Sequence, residues 1–279
     1  IYNEVTEIFL EAHFKHGFVN PKLNCRFGRG SDRRYVRELA RQVIDGHNVF
    51  AFLNDDSIIE ANVKAGKKPE DCNLYGAGGC QETIIEGCEH SEGAYYYFNM
   101  PRILDFCIHD HGELDETYSS LSARPLKILG GADFEECYSR FMKTISDFIV
   151  NGAEVRRATG SVWSSVNPCP FFSSMLHGCL ENRRDYSAGG ARYNPSGLSL
   201  VGFGTIIDSM YAIKYACYDR KWISPQDLEA VLKADWAGHE KLRVRFAGIP
   251  KYGHNCPDVD KFAGRLADDL RKISAGLEN

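Results

Sequence analysis

Apolar residues recur at helical spacing over residues 2–16 (Val5, Ile8, Phe9, Ala12), and His16-Gly17 ends the pattern. A loop is expected to Gly30. Ser31 is the expected cap of a second helix that places Tyr35, Val36, Leu39, Val43 and Ile44 on one face and stops at Gly46. The run Asn48–Leu53 reads as a buried strand, Asn54-Asp55-Asp56 as the cap of a helix to Ala65, and Leu74–Gly78 as a second extended segment. Gly93–His109 is aromatic-rich and expected to be mostly helical, with Pro101 near its start or a kink. The clearest amphipathic helix is Asp133–Val150, whose stripe Phe134, Tyr138, Phe141, Ile145, Phe148 reads as core. Pro168–Leu180 reads as an apolar helix, Leu198–Val201 as a strand and Thr205–Tyr218 as a helix. Ser224-Pro225 opens another helix, and Pro257 and Gly276 bound the last. This alternation of helix and strand indicates an α/β fold.

The stretch that stands apart is Y-G-A-G-G-C-Q-E at 75–82, in which three glycines precede Cys80 and Glu82 follows it by two residues. With so little side chain before it, the backbone can carry the thiol into a confined place. A nucleophilic thiolate wants a histidine or a helix N-terminus to lower its pKa, yet the neighbours are the acids Glu82, Glu86, Glu89 and Glu92. They keep a thiol protonated. A neutral S–H beside a carboxylate suits hydrogen-atom transfer, with the carboxylate moving a proton. A buried structural cysteine after a glycine turn is the plain alternative.

Seven motifs in fixed order carry a resemblance along most of the chain: Asn20-Pro21, Asn54-Asp55-Asp56, G-G-C-Q-E at 78–82, F-N-M-P-R-I-L at 98–104, G-G-A-R-Y-N at 189–194, D-S-M-Y-A-I-K at 208–214 and P-K-Y-G at 250–253. The sequence resembles the glycyl radical enzymes, the pyruvate formate-lyase-like superfamily, over the middle of that family's length. The resemblance implies part of a ten-stranded α/β barrel with many surrounding helices. Residues 1–279 form one segment of the catalytic domain in this reading, the half with the cysteine loop. It implies that Cys80 is the thiyl radical carrier. It also implies that Cys-x-Glu, rather than adjacent Cys-Cys, places the chain in the dehydratase or decarboxylase-type branch, with Glu82 as the proton-transfer group. His90 and Tyr95 are the expected substrate-binding residues. In eliminases of the diol and choline type a His-Asp pair looks to occupy the positions of Gly93 and Ala94, so the departure here puts a vicinal diol in doubt.

The same resemblance implies a protein-based glycyl radical, a separate activating enzyme that uses S-adenosylmethionine and a 4Fe–4S cluster, a homodimeric complete enzyme and no bound metal. The radical glycine is expected in an R-V-x-G-Y-like motif, which these residues lack. Arg243–Gly248 is superficially similar but precedes P-K-Y-G, where the family has a helix end, so Gly248 is not assigned. The radical-bearing glycyl domain is therefore expected outside this segment, in a missing domain or a second chain. Two other readings stay open: a catalytically silent truncated paralogue that binds a partner or ligand, and a hydrolase or transferase with Cys80 as nucleophile and His90 as base.

Composition narrows the field. Hydrophobic residues make up 43% and charged residues 25%, as in soluble globular chains. A net charge of -5 without a basic cluster longer than Arg183-Arg184 argues against nucleic acid and acidic membranes as partners. No apolar run approaches the roughly 20 residues of a bilayer span, and the N-terminal stretch lacks signal-peptide character. A first residue of Ile rather than Met reads as a cut or trimmed chain. Ten irregularly spaced cysteines with no C-x-x-C pair read as reduced thiols of a cytoplasmic protein. Cys88-Glu89-His90 and His109-Asp110-His111 each lack a second cluster at metal-site spacing. Gly189-Gly190 and Gly202-x-Gly204 lack the lysine of a phosphate loop. Asp208 and Lys214 are expected to make structural polar contacts.

Overall fold

A computed structural model describes residues 2–78, 82–90, 94–109 and 124–277; of Ala94 and Tyr95 it describes the backbone alone. The chain divides into two compact units, Ile1–Gly93 with Asn167–Pro195, and Ala94–Val166 with Ser196–Asn279. Both mix helices with short strands, so the fold is α/β as expected.

The first unit opens with the helix Glu4–Lys15, then β1 (Leu23–Phe27), the helix Arg33–Ile44 and β2 (Phe50–Asn54). Strands β1 and β2 are parallel, with Leu23 opposite Phe50 and Phe27 opposite Asn54. A parallel pair needs a crossover, and the second helix supplies it. Leu10, Cys25, Leu39 and Phe50 bury the seam between helices and strands. β1 lies in what reads as a loop to Gly30, because Arg26, which pairs with Asp55, breaks its apolar pattern. The helix cap is Asp32 rather than Ser31: its carboxylate accepts from the Arg34 N–H at 2.7 Å, while Ser31 Oγ accepts from the Gly28 N–H. Asn54 caps the helix Asp55–Lys64 as expected, accepting from the N–H groups of Asp56 and Ser57.

β3 (Tyr75–Gly78) and β4 (Glu82–Ile85) follow as an antiparallel pair. The expected apolar helix over Pro168–Leu180 is not continuous, and the segment Asn167–Pro195 is built of short turns: two helical ones, Pro170–Ser173 and Cys179–Asn182, and a 3₁₀ turn at Tyr186–Ala188. Gly178 at φ +100 breaks the run, and its N–H is taken by the Glu181 carboxylate at 2.9 Å. In the glycine pair that follows, Gly190 is held to glycine by packing: a Cβ there would enter the Arg184 carbonyl.

In the second unit β5 (Ala94–Asn99) pairs in parallel with β6 (Gly197–Val201). The expected helix over 93–109 is therefore a strand followed by the helix Met100–Ile108. The aromatic run fits a pleated sheet better than a helix, and the Asn99 side chain caps the helix by accepting from the Arg102 N–H at 3.1 Å. The long helix Phe134–Val166 runs 16 residues past the expected end, but its buried positions stop at Gly152. The stripe Phe134, Tyr138, Phe141, Ile145, Phe148 is core, as read from the sequence. Around it pack the helices Phe203–Ile213, which runs into a π turn at Lys214–Asp219, and Pro257–Ala275. Asp208 accepts from the Tyr252 N–H, and Lys214 pairs with Asp219. Gly248 is the C-cap of the helix Glu240–Ala247. Among the described residues no helix is long and apolar enough to cross a membrane.

Gly152 lets the long helix approach β5: a Cβ there would stand 2.7 Å from Cζ of Phe98, a ring only 2% exposed. Gly152→Val would improve helix propensity by a few tenths of a kcal/mol, whereas forcing a branched side chain into a filled core costs about 1–3 kcal/mol. The clash wins, and the urea midpoint is expected to fall accordingly.

Candidate active site

On either side of Cys80 in the sequence, β3 and β4 pair as the strands of a hairpin, Tyr75 with Ile85, Gly76 with Ile84, Ala77 with Thr83 and Gly78 with Glu82. Alternation along each strand puts Tyr75, Ala77, Thr83 and Ile85 on one face, and Gly76, Gly78, Glu82 and Ile84 on the other. The first face is the buried one: Tyr75 and Ile85 are 1% and 0% exposed and pack on Leu53, Cys72 and Cys88. Glu82 is thus on the face turned away from that core, half-buried, at the last rung before the connecting residues. Cys80, Gly79 and Gln81 lie outside the described residues.

The strand glycines have a physical reason other than tight turning. A Cβ on Gly76 would run into the Glu86 carboxylate, and one on Gly78 into Cδ1 of Ile84. Ile84 of β4 and Glu86 just beyond it lie across the face that β3 leaves bare.

Ionic groups grip the base rung of this hairpin on both sides. On β3, the Tyr75 hydroxyl donates to Asp55 Oδ1, to which Arg26 Nε also donates at 2.8 Å. Arg26 Nη1 donates to the Tyr75 carbonyl at 2.8 Å, and the guanidinium lies 3.9 Å from the ring centroid. Burial pushes the Asp55 carboxyl up, but the Arg26 and Tyr75 hydrogen bonds outweigh it and hold it below its ordinary value. Burial first, and then the carboxylate, push the Tyr75 phenol up. On β4, Glu89 Oε2 accepts from the Ile85 N–H at 2.9 Å and from Lys67 Nζ at 2.7 Å, with the two side chains 2% and 12% exposed.

A second network ties the residues that flank the hairpin to the segment Asn167–Pro195. Arg192 Nη1 reaches Asp71 Oδ2 at 3.1 Å and Cys88 Sγ at 3.5 Å, and the Tyr193 hydroxyl donates to Asp71 Oδ2 at 2.7 Å. These bonds, led by that from Tyr193, hold the Asp71 carboxyl below its ordinary value. Burial pushes the Cys72 and Cys88 thiols up, so neither is a ready nucleophile. All nine described cysteines are free thiols.

Of the residues singled out in the sequence, Glu82 stands on the hairpin, and His90 follows it with its N–H bonded to the Tyr193 carbonyl at 3.0 Å and its ring edge-on to Tyr186 at 4.4 Å. Tyr95 is in β5 of the second unit, its side chain outside the described residues. Within Cys88-Glu89-His90, Glu89 is committed to Lys67 and Ile85. Among the described residues no group of three His, Cys, Asp or Glu could hold a metal ion. Asp110 and His111 are outside them. The sequence reading missed Arg26, Lys67, Asp71, Glu89, Arg192 and Tyr193 as supports. The motifs N-D-D and G-G-A-R-Y-N contained part of the signal, but each shows only one partner of a long-range pair.

Residues 1–279 match the family model described as pyruvate formate lyase-like. The chain belongs to the pyruvate formate lyase-like family of glycyl radical enzymes. It is 30% identical over 277 residues to trans-4-hydroxy-L-proline dehydratase of Clostridioides difficile, covering 96% of this chain and 33% of that protein. The glycerol-bound structure of the B12-independent glycerol dehydratase of Clostridium butyricum superposes with a TM-score of 0.83 at 26% identity, over 98% of this chain and 34% of that one. A glycyl radical enzyme of Archaeoglobus fulgidus shares the fold, with a TM-score of 0.82 over 97% of this chain and 34% of that one at 23% identity. The chain spans about one third of the length of the relatives it matches. Members of the pyruvate formate lyase-like family resembling this chain are thus named as lyases and dehydratases.

Proposed function

We propose that this chain is the cysteine-loop part of a glycyl radical dehydratase that eliminates water from a small hydroxylated metabolite, with Cys80 as the hydrogen-atom abstractor and Glu82 as the proton carrier. The observation that carries the reading is the hairpin rung pairing Gly78 with Glu82, which brackets Cys80 in a chain whose relatives include dehydratases. A carboxylate two residues from the thiol in sequence, half-buried on the face turned from the core, suits the role of proton carrier.

The glycyl radical supplies one hydrogen vacancy, which leaves Cys80 as a thiyl. Cys80 takes a hydrogen atom from a substrate carbon, forming S–H and a carbon radical. Hydroxide then leaves the neighbouring carbon with the C–O electron pair, the O–H or N–H on the radical carbon breaks and leaves its pair behind, and Glu82 carries that proton to the hydroxide, which departs as water. Cys80 returns its hydrogen atom to the product radical, so the net change is the loss of one water. In this proposal the radical glycine and the strands that close the barrel come from polypeptide outside residues 1–279, and a separate radical S-adenosylmethionine enzyme installs the radical. Gly93 and Ala94, where diol-type members look to carry His-Asp, weigh against a vicinal diol. The likeness to a hydroxyproline dehydratase favours a hydroxylated amino or carboxylic acid, with His90 and Tyr95 as substrate-binding residues.

The test is anaerobic activation of the full-length protein by such an activating enzyme, followed by turnover on hydroxylated amino acids, hydroxy acids and diols. The expected result is a glycyl radical signal in electron paramagnetic resonance and oxygen-sensitive water elimination from a hydroxylated acid. A full radical signal with no elimination from any of these substrates would overturn the proposal.

A further inference from the structure

The two ion-pair systems at the base of the hairpin do more than stabilise the first unit. Tyr75 and Ile85 form a single rung, held at one end by Arg26 and Asp55 and at the other by Glu89, which Lys67 holds in turn. Arg26 comes from β1, Asp55 from the helix after β2, and Lys67 from the turn after that helix. Each grip uses backbone as well as side chain. Arg26 bonds the Tyr75 carbonyl, and Glu89 bonds the Ile85 N–H. Such bonds fix a strand along its own axis, which a hydrophobic contact does not.

The axis matters because side chains alternate. A slip of one residue between β3 and β4 would carry Glu82 from the open face to the core face. Above the base, Gly76 and Gly78 weaken the strand itself, so the grip at the base rung carries more of the register. We infer that Arg26, Asp55 and Glu89, with Lys67, are positioning residues that lock the register of this hairpin and thereby fix where the Cys-x-Glu motif is presented. This rests on the reading of that motif as the catalytic one. Arg26 is not replaceable by lysine here, because Nε and Nη1 serve two acceptors in a fixed fork while the guanidinium plane lies over the Tyr75 ring.

The experiment compares Arg26→Met, Arg26→Lys, Glu89→Gln and Tyr75→Phe in the full-length protein by two independent readouts. In the first, unactivated protein is treated with iodoacetamide and each cysteine is followed by peptide mass mapping. The Cys80 rate is expected to change by at least about threefold, the scale of a modest shift in a local opening equilibrium. Partly exposed Cys169 and Cys256 should keep their rates, and buried Cys72 and Cys88 should stay unlabelled. In the second, activated protein is assayed at equal radical content. A misplacement of about 1 Å costs on the order of 100-fold, so kcat is expected to fall about 10- to 100-fold with KM within about threefold, and Arg26→Lys should not rescue it. Unchanged Cys80 labelling in Arg26→Met and Glu89→Gln would overturn the inference whatever the activity shows. If a variant unfolds, Cys72 and Cys88 become labelled, and Tyr75→Phe, which deletes one hydroxyl and leaves the ring, decides instead. Should wild-type turnover not depend on Cys80, the catalytic reading fails while the labelling still decides the register lock.

Discussion

Cys80→Ser is expected to abolish turnover while leaving the glycyl radical signal intact. Serine is nearly isosteric, so the hairpin packing of Tyr75 and Ile85 has no reason to change. The O–H bond is much stronger than S–H, however, and a carbon-centred glycyl radical cannot draw its hydrogen across. Every later step waits on that transfer, so the loss should approach the full catalytic factor, at least about four orders of magnitude. Paired measurements on the activated full-length protein decide the matter: radical spins per chain and product formed. Equal spins with no product is the expected pair. Product formation within about tenfold of wild type would remove Cys80 from the chemistry and leave it a structural cysteine. Loss of both signal and product would place it in activation instead.

Much of the scaffold around this residue is legible in the sequence, and where it is not, the failures share a cause. Local signals held: Asn54 and Ser224 cap the helices they were expected to cap, and Pro257 and Gly276 bound the last helix. Elements set by distant partners did not. β1 is obscured by Arg26, a charged residue in mid-strand whose partner Asp55 is 29 residues away. β5 has the aromatic run of a strand running directly into a helix, and only pairing with β6, about 100 residues on, separates the two. The apolar stretch before Leu180 has a helix's composition, but Gly178 adopts a left-handed backbone and ends it. The site divides in the same way. Cys80 and Glu82 stand out as candidates because the chemistry proposed for them is written two letters apart. Lys67 and Glu89, 22 residues apart, are two ordinary surface-type residues until the fold buries them together. Even the glycines were legible only in part: the sequence shows that they are small, and the fold shows that Ile84 and Glu86 are what they make room for.

Glu82→Gln separates the two halves of the proposed reaction. The amide keeps the shape of the carboxylate and its place opposite Gly78, so the hairpin register should survive, but it can neither take up nor release a proton at catalytic pH. Proton transfer by a positioned side chain contributes about 10²–10⁴-fold, and kcat is expected to fall by that factor with KM within about threefold, the pattern of an interaction needed in the transition state. Hydrogen-atom abstraction does not require the carboxylate. In D₂O the variant should therefore still place deuterium from the exchanged Cys80 thiol into unreacted substrate, at a rate well above its residual elimination, and this exchange should vanish in Cys80→Ser. Substrate recovered with deuterium but without product would assign Glu82 to the proton and Cys80 to the hydrogen atom. A kcat above about one tenth of wild type would show that the proton travels by another route. Loss of exchange together with elimination would mean that the carboxylate acts before the carbon radical exists, as a group that seats the substrate rather than one that moves its proton.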